Sequence, residues 1–134
     1  RLGLIGHTPA LYPELSLLAN LEFSARIAGV PVAEARSVLT SVGLGAAAGR
    51  LAGEASFGMQ RRAEFAREIM LGPELLLLDE PHSALDPSAV ELVEHIVAGV
   101  RERSGAVIIA SHDLDRVAPM VTRTVELVGG SLDG

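Results

Sequence analysis

The sequence predicts a parallel α/β fold, on the strength of three features. Leu75-Leu76-Leu77-Leu78 is a continuous apolar run without the alternation of a one-sided strand. Such a run is expected to be buried on both faces, as in a parallel sheet. From Pro87 onward, Val90, Val93, Ile96, Val97 and Val100 recur at the helical period. Ser104-Gly105 then turns the chain into a second apolar run, Ala106–Ala110. Strand, helix and strand in that order make one crossover unit of a parallel sheet.

The remaining elements are placed in chain order. Residues 2–6 read as a short buried strand, followed by a loop over 7–15 that Pro9 and Pro13 interrupt. Ser16 can cap a helix to about Ala28, with Leu17, Asn20, Leu21, Ser24 and Ile27 on one face and Gly29 as its stop. A second helix is expected from Pro31 to Gly43, with Val38, Leu39 and Val42 as its apolar stripe. Residues 43–55 are rich in Gly and Ala and read as loop. Ser56 opens a third helix over roughly 58–71, where Met59, Ala63, Ala66 and Met70 form the apolar side. Arg61, Arg62, Glu64, Arg67 and Glu68 are assigned to the rest of its circumference. A short helix is expected from Asp113, a last strand over Val121–Val128 and a turn at Gly129-Gly130.

Composition narrows the function. With 49% apolar and 21% charged residues the chain can build a core. A net charge of −6 argues against a nucleic-acid partner, since phosphate backbones attract clustered Lys and Arg. The absence of cysteine excludes disulfides and thiolate metal sites. No apolar run approaches the ~20 residues that span a bilayer. All basic residues are Arg, so no P-loop lysine is available to reach nucleotide phosphates.

Ligands of open parallel sheets bind beyond the carboxyl ends of the strands. Asp79 and Glu80 end one expected strand, and Ser111 and His112 end the next. Asp79 can hold Mg²⁺, through water because that ion sheds its waters reluctantly. Glu80 can orient and deprotonate an attacking water, and His112 can bond a phosphate or that water. Adjacent acids that merely end a strand are the plainer reading; His112 at the matching position favours the site. Ser56-Phe57-Gly58-Met59-Gln60 starts a helix, whose free N–H groups suit a phosphate. An ordinary serine cap would look the same.

Taken in order, these segments resemble the ATP-binding cassette (ABC) transporter ATPases. Ala55-Ser56-Phe57-Gly58-Met59 is similar to the signature sequence of that family, and Gln60-Arg61-Arg62 after it also fits. Leu75–Leu78 with Asp79-Glu80-Pro81 resembles its Walker B segment with the catalytic glutamate. Ser83-Ala84-Leu85-Asp86 resembles its D-loop, and His112 its switch histidine. Phe57 and Met59 depart from the usual signature residues, and His7 stands at the Q-loop position usually held by Gln. Gly6-His7-Thr8-Pro9 resembles the haem-exporter ATPase of cytochrome c maturation, while Leu11–Leu21 fits antibiotic and multidrug exporters as well.

The resemblance implies a P-loop NTPase fold with a parallel core sheet and a helical signature subdomain. Residues 1–134 would form part of one ABC ATPase domain: about 12–70 the helical subdomain, 1–11 and 71–134 the rest of the α/β core. The first strands and the Walker A loop are expected N-terminal to Arg1, so residues 1–134 alone are expected to be inactive. The resemblance also implies ATP and Mg²⁺ as cofactors, and head-to-tail pairing with an identical or different second ATPase subunit. Ser56 and Gly58 would then meet ATP in the partner's site. A membrane permease would dock near the His7 loop, which places the protein in the cytoplasm, peripheral on the inner face of the cell membrane. A soluble ABC protein outside transport is the rival reading.

Overall fold

A computed structural model of the chain describes residues 1–82 and 87–133, the side chains of 87–89, 132 and 133 excepted. Strands β1 (Leu2–Ile5), β2 (Leu75–Asp79) and β3 (Ala106–Ala110) form a parallel sheet in the order β1-β2-β3. Leu2 to Ile5 pair with Leu75 to Leu78, and Leu75 to Asp79 pair with Ala106 to Ala110. The expected parallel α/β core is therefore present.

Helix α1 (Leu17–Ala28) starts where expected: Ser16 Oγ accepts from the Ala19 amide at 3.0 Å. It ends at Gly29, whose φ of 70° is the left-handed conformation that glycine adopts without strain. Its buried face is Leu17, Asn20, Leu21 and Ala25, and Ile27 points outward. Helix α2 (Glu34–Ser41) begins later than expected, because Pro31 and Val32 are taken up in turns closed by the Glu34 and Ala35 amides. The segment expected as loop, 43–55, contains two short 3₁₀ turns, Gly45–Ala47 and Ala52–Glu54. Helix α3 (Phe57–Leu71) and helix α4 (Pro87–Glu102) match their expected ranges closely. Asp113 caps α5 (Leu114–Val117), its carboxylate accepting from the Arg116 amide.

The expected last strand is shorter than its apolar pattern. Only Glu126–Val128 is extended as β4, and it pairs antiparallel with β5 (Ser131–Asp133) around Gly129-Gly130. Residues 121–125 have no strand neighbour among the described residues, so their backbone has no ladder to join.

Two cores meet along α3. One joins Leu17, Leu21, Ala25, Leu39, Ala63, Ala66 and Met70 of the three helices. The other joins Ile5, Leu76 and Leu78 of the sheet with Phe65 of α3 and Val93, Ile96, Val97 and Val100 of α4. Burying each Val, Leu, Ile, Phe or Met side chain among them favours folding by about 1.5–3 kcal/mol. The expectation of a sheet buried on both faces is not met. Leu76 and Leu78 are fully enclosed and Leu75 and Leu77 only partly. Leu2, Leu4 and Ile108 are exposed, since among the described residues helices cover only one face. Among the described residues no helix is long and apolar enough to cross a membrane.

The polar side of α3 is not an ordinary solvated helix face. Arg61, Glu64 and Glu68 are buried rather than solvated. Gly3 makes room for one of them: a Cβ there would lie 2.4 Å from a Glu68 carboxylate oxygen. Arg61 reaches the Gly6 and His7 carbonyls, Glu68 lies at Gly3, and the Arg1 guanidinium donates to the Leu71 carbonyl. Helix α3 thus runs antiparallel to β1, and its N-terminus lies at the carboxyl end of the sheet.

Candidate functional site

The carboxyl ends of β2 and β3 bring Glu80 and His112 together, as their sequence positions predict. The Glu80 amide donates to the Ala110 carbonyl at 2.9 Å, extending the β2–β3 ladder by one bond. The backbone then leaves the strand with a φ of 48° at Glu80, a left-handed conformation costly for a side chain with a Cβ. This turn aims the carboxylate at β3. Glu80 Oε1 accepts from the His112 amide at 3.0 Å and meets His112 Nδ1 at 2.8 Å, and Ser111 Oγ lies 3.5 Å from Oε2.

The pair shifts both titrations in the direction of charge. The hydrogen bond from the His112 ring, reinforced by the His112 amide and charge and by Ser111, holds the Glu80 carboxyl below its ordinary 4.5 against the opposing effect of burial. The same bond and the carboxylate charge raise His112 above its ordinary 6.5. The Glu80 side chain is 28% exposed and that of His112 85%. Glu80 is therefore an ionised acceptor at neutral pH, and His112 spends Nδ1 on it and leaves Nε2 for a ligand.

Asp79 is the last residue of β2, in register with Ala110, and is exposed at the same rim. Among the described residues no group of three potential ligands gathers to form a metal site. The donor set here, one exposed carboxylate beside Glu80, fits an ion such as Mg²⁺ that keeps most of its waters and binds through few protein groups. The D-loop positions Ser83, Ala84, Leu85 and Asp86 lie outside the described residues.

Ser56 caps α3, its Oγ accepting from the Met59 amide at 3.2 Å. A Cβ on Gly58 would meet nothing within 4 Å, so the first turn is open for the approach of another group. Phe57 is exposed, with its ring centroid 5.4 Å from the Arg61 guanidinium carbon. Gln60 points elsewhere: its amide donates to the Ala52 and Ala55 carbonyls and ties down the entering loop. His7 has an exposed side chain, and its carbonyl accepts from Arg61 at 2.7 Å. Among the described residues no hydrogen bond or ion pair joins Ser56–Gln60 to Glu80 or His112.

Sequence reasoning missed two features beside these residues. His82, next to the Glu80 turn, is buried, neither ring nitrogen is bonded among the described residues, and burial lowers its pKa. The buried charges of α3 were the other, signalled only by opposite charges at i,i+3: Arg61 with Glu64, and Glu64 with Arg67.

A parallel sheet whose rim carries an acid–histidine pair, with a capped helix start at the same end, has the layout of an α/β nucleotide-binding domain. The family model for ABC transporter proteins matches residues 1–83, and the chain belongs to that family. It is 33% identical over 132 residues to a fluoroquinolones export ATP-binding protein of Mycobacterium tuberculosis, covering 98% of this chain and 44% of that protein. It is 32% identical to the methionine import ATP-binding protein MetN of Caulobacter vibrioides, covering 97% of this chain and 41% of that one. The chain thus spans less than half the length of these curated relatives. A solved structure of the ATP binding subunit of an ABC transporter superposes with a TM-score of 0.77 at 27% identity, over 89% of this chain and 51% of that one. The fold is that of an ABC ATP-binding subunit.

Proposed function

We propose that this chain supplies the hydrolytic residues of an ATP site that powers an ABC transporter. The observation that carries the reading is the Glu80–His112 contact at the sheet rim. In this reading Glu80 takes the proton of the attacking water, and His112 fixes the Glu80 carboxylate through Nδ1 while Nε2 meets the γ-phosphate or that water. Asp79 holds Mg²⁺ through water; the ion would neutralise phosphate charge when bound. Ser83 to Asp86 link two such sites across a head-to-tail dimer. Ser56, Phe57, Gly58 and Met59 present the start of α3 to ATP of the second subunit, and Gln60 keeps the loop before that start in place. Met59 is compatible with this role because its amide completes the Ser56 cap and its side chain packs against the helical core, which keeps the start of α3 in shape.

The permease is proposed to dock on the helical part, about residues 12–70, beside the His7 loop. A groove there, lined by Tyr12, Phe23, Ile27 and Leu71, supports this, with three of those large apolar or aromatic side chains exposed. Such a protein works at the inner face of a cell membrane. Within the family we place it with exporters, of haem-exporter type on the strength of His7 in Gly6-His7-Thr8-Pro9; the fluoroquinolones relative makes drug export the second reading. Haem-stimulated ATP hydrolysis with the cognate permease would separate the two, and failure to co-purify with any permease would favour a soluble ABC protein.

In the full protein, Glu80→Gln is expected to bind ATP and lose steady-state hydrolysis. Near-normal turnover would remove Glu80 from the role of base. Residues 1–134 by themselves contain no lysine to grip the phosphates and are expected to show no ATP turnover.

A further inference from the structure

Arg61 joins two segments to which different tasks are assigned above. Its residue surface is fully buried. On one side its guanidinium lies 5.4 Å from the Phe57 ring. On the other, Nη1 donates to the Gly6 carbonyl at 2.6 Å and Nη2 to the His7 carbonyl at 2.7 Å. One side chain therefore touches the start of α3 and both carbonyls that bracket the α-carbon of His7.

The neighbours of Arg61 extend the grip. Arg61 pairs with Glu64 at 2.9 Å, and Glu64 accepts from the Ala10 amide at 2.8 Å. Arg67 donates to the Ala10 carbonyl at 2.7 Å and pairs with Glu68 at 3.1 Å. The loop backbone at residues 6, 7 and 10 thus ends on α3 side chains. Among the described residues Arg61 Nε has no hydrogen-bond partner, although it is buried. An apolar side chain of similar volume would fill the space but leave two carbonyls and Glu64 short of a donor, so simple packing does not account for the guanidinium. Its planar fork does, because two rigidly spaced nitrogens reach two successive carbonyls and a carboxylate at once.

We propose that Arg61 is a positioning residue that transmits a displacement of the Phe57 segment to the 6–10 loop, so that the helix start and the His7 loop respond together. The roles of the two ends rest on the function proposed above; the linkage itself rests on the contacts. Spatial connection is not yet coupling, and a passive clamp would hold the loop whatever happened at Phe57.

A double-mutant cycle read by hydrogen exchange distinguishes these cases. Exchange over residues 6–10 is measured in the full chain without nucleotide, for wild type, Phe57→Ala, Arg61→Lys and the double variant. Arg61→Lys keeps the charge beside Glu64 and removes the fork. Phe57→Ala is expected to raise exchange over 6–10 by about threefold or more in the wild-type background, and to add nothing in the Arg61→Lys background. Wild-type rates over 6–10 in Phe57→Ala would overturn the proposal, as would an equal rise in both backgrounds. Should Arg61→Lys fail to fold, Phe57→Ala alone decides, because Phe57 is exposed and its removal leaves the cores intact. No nucleotide enters the measurement, so its result stands apart from whether Glu80→Gln abolishes hydrolysis.

Discussion

Two acid–base pairs of nearly equal length sit in very different surroundings. Arg61 and Glu64 meet at 2.9 Å with side chains almost wholly enclosed, and Glu80 and His112 meet at 2.8 Å at an open rim. Length is therefore a poor guide to what a pair does. Enclosed charges must be satisfied permanently, so the first pair belongs to the architecture and fixes where the 6–10 loop lies. Charges in water are cheap to separate, so the second pair can open and exchange its partner for a ligand. Burial moves the titrations in the same sense. Desolvation pushes Glu64 above its ordinary 4.5 despite the Ala10 amide and two arginines, whereas Glu80 is held below it by His112.

The largest expected effect breaks the enclosed pair. Arg61→Met takes from buried Glu64 its nearest charge partner, leaving it the Ala10 amide and Arg67 at 3.6 Å, and frees two carbonyls, which should cost about 3–5 kcal/mol in a denaturation experiment. A loss under about 1 kcal/mol would mean that Arg67 and the Ala10 amide suffice to hold Glu64. Asn20 gives an intermediate case without net charge. Its amide bonds the Tyr12 amide and the Tyr12, Leu15 and Ser16 carbonyls, and Asn20→Ala should cost about 1–3 kcal/mol.

The smallest effect belongs to the open pair. His112→Ala should move the unfolding midpoint least of the three while it slows ATP turnover in the full protein. Its pH dependence follows from the shifts. Glu80 is lowered, so its contribution is present above 4.5 and is lost as pH falls through a folded value below that. His112 is raised, so its contribution is full below 6.5 and is lost as pH rises through a folded value above that. The ion pair is thus populated between those limits. In an NMR titration, Glu80→Gln should return the His112 midpoint toward 6.5; an unmoved midpoint would deny the contact.

The rim was legible in the sequence because strand ends announce themselves. An apolar run that stops at Asp79-Glu80, and another that stops before Ser111-His112, leave little choice of register, and the structure pairs Asp79 with Ala110 accordingly. Helix starts were equally plain where Ser16 and Ser56 stood ready to cap. The enclosed charges were not legible, because periodicity assigns Arg61, Glu64 and Glu68 to water unless the partner is known. That partner is backbone: loop carbonyls and an amide, which carry no sequence signal. The sheet misled for a related reason. Four leucines cannot state how many faces are covered, and Leu4 and Ile108 stay 54% and 60% exposed.

The left-handed backbone at Glu80 carries a consequence for how the chain tolerates change. A glycine at that position would adopt a φ of 48° freely and recover about 1 kcal/mol of conformational strain. It would also delete the carboxylate. Selection or engineering for thermal robustness alone would thus favour a substitution that silences the rim, and this position is where foldability and chemistry compete.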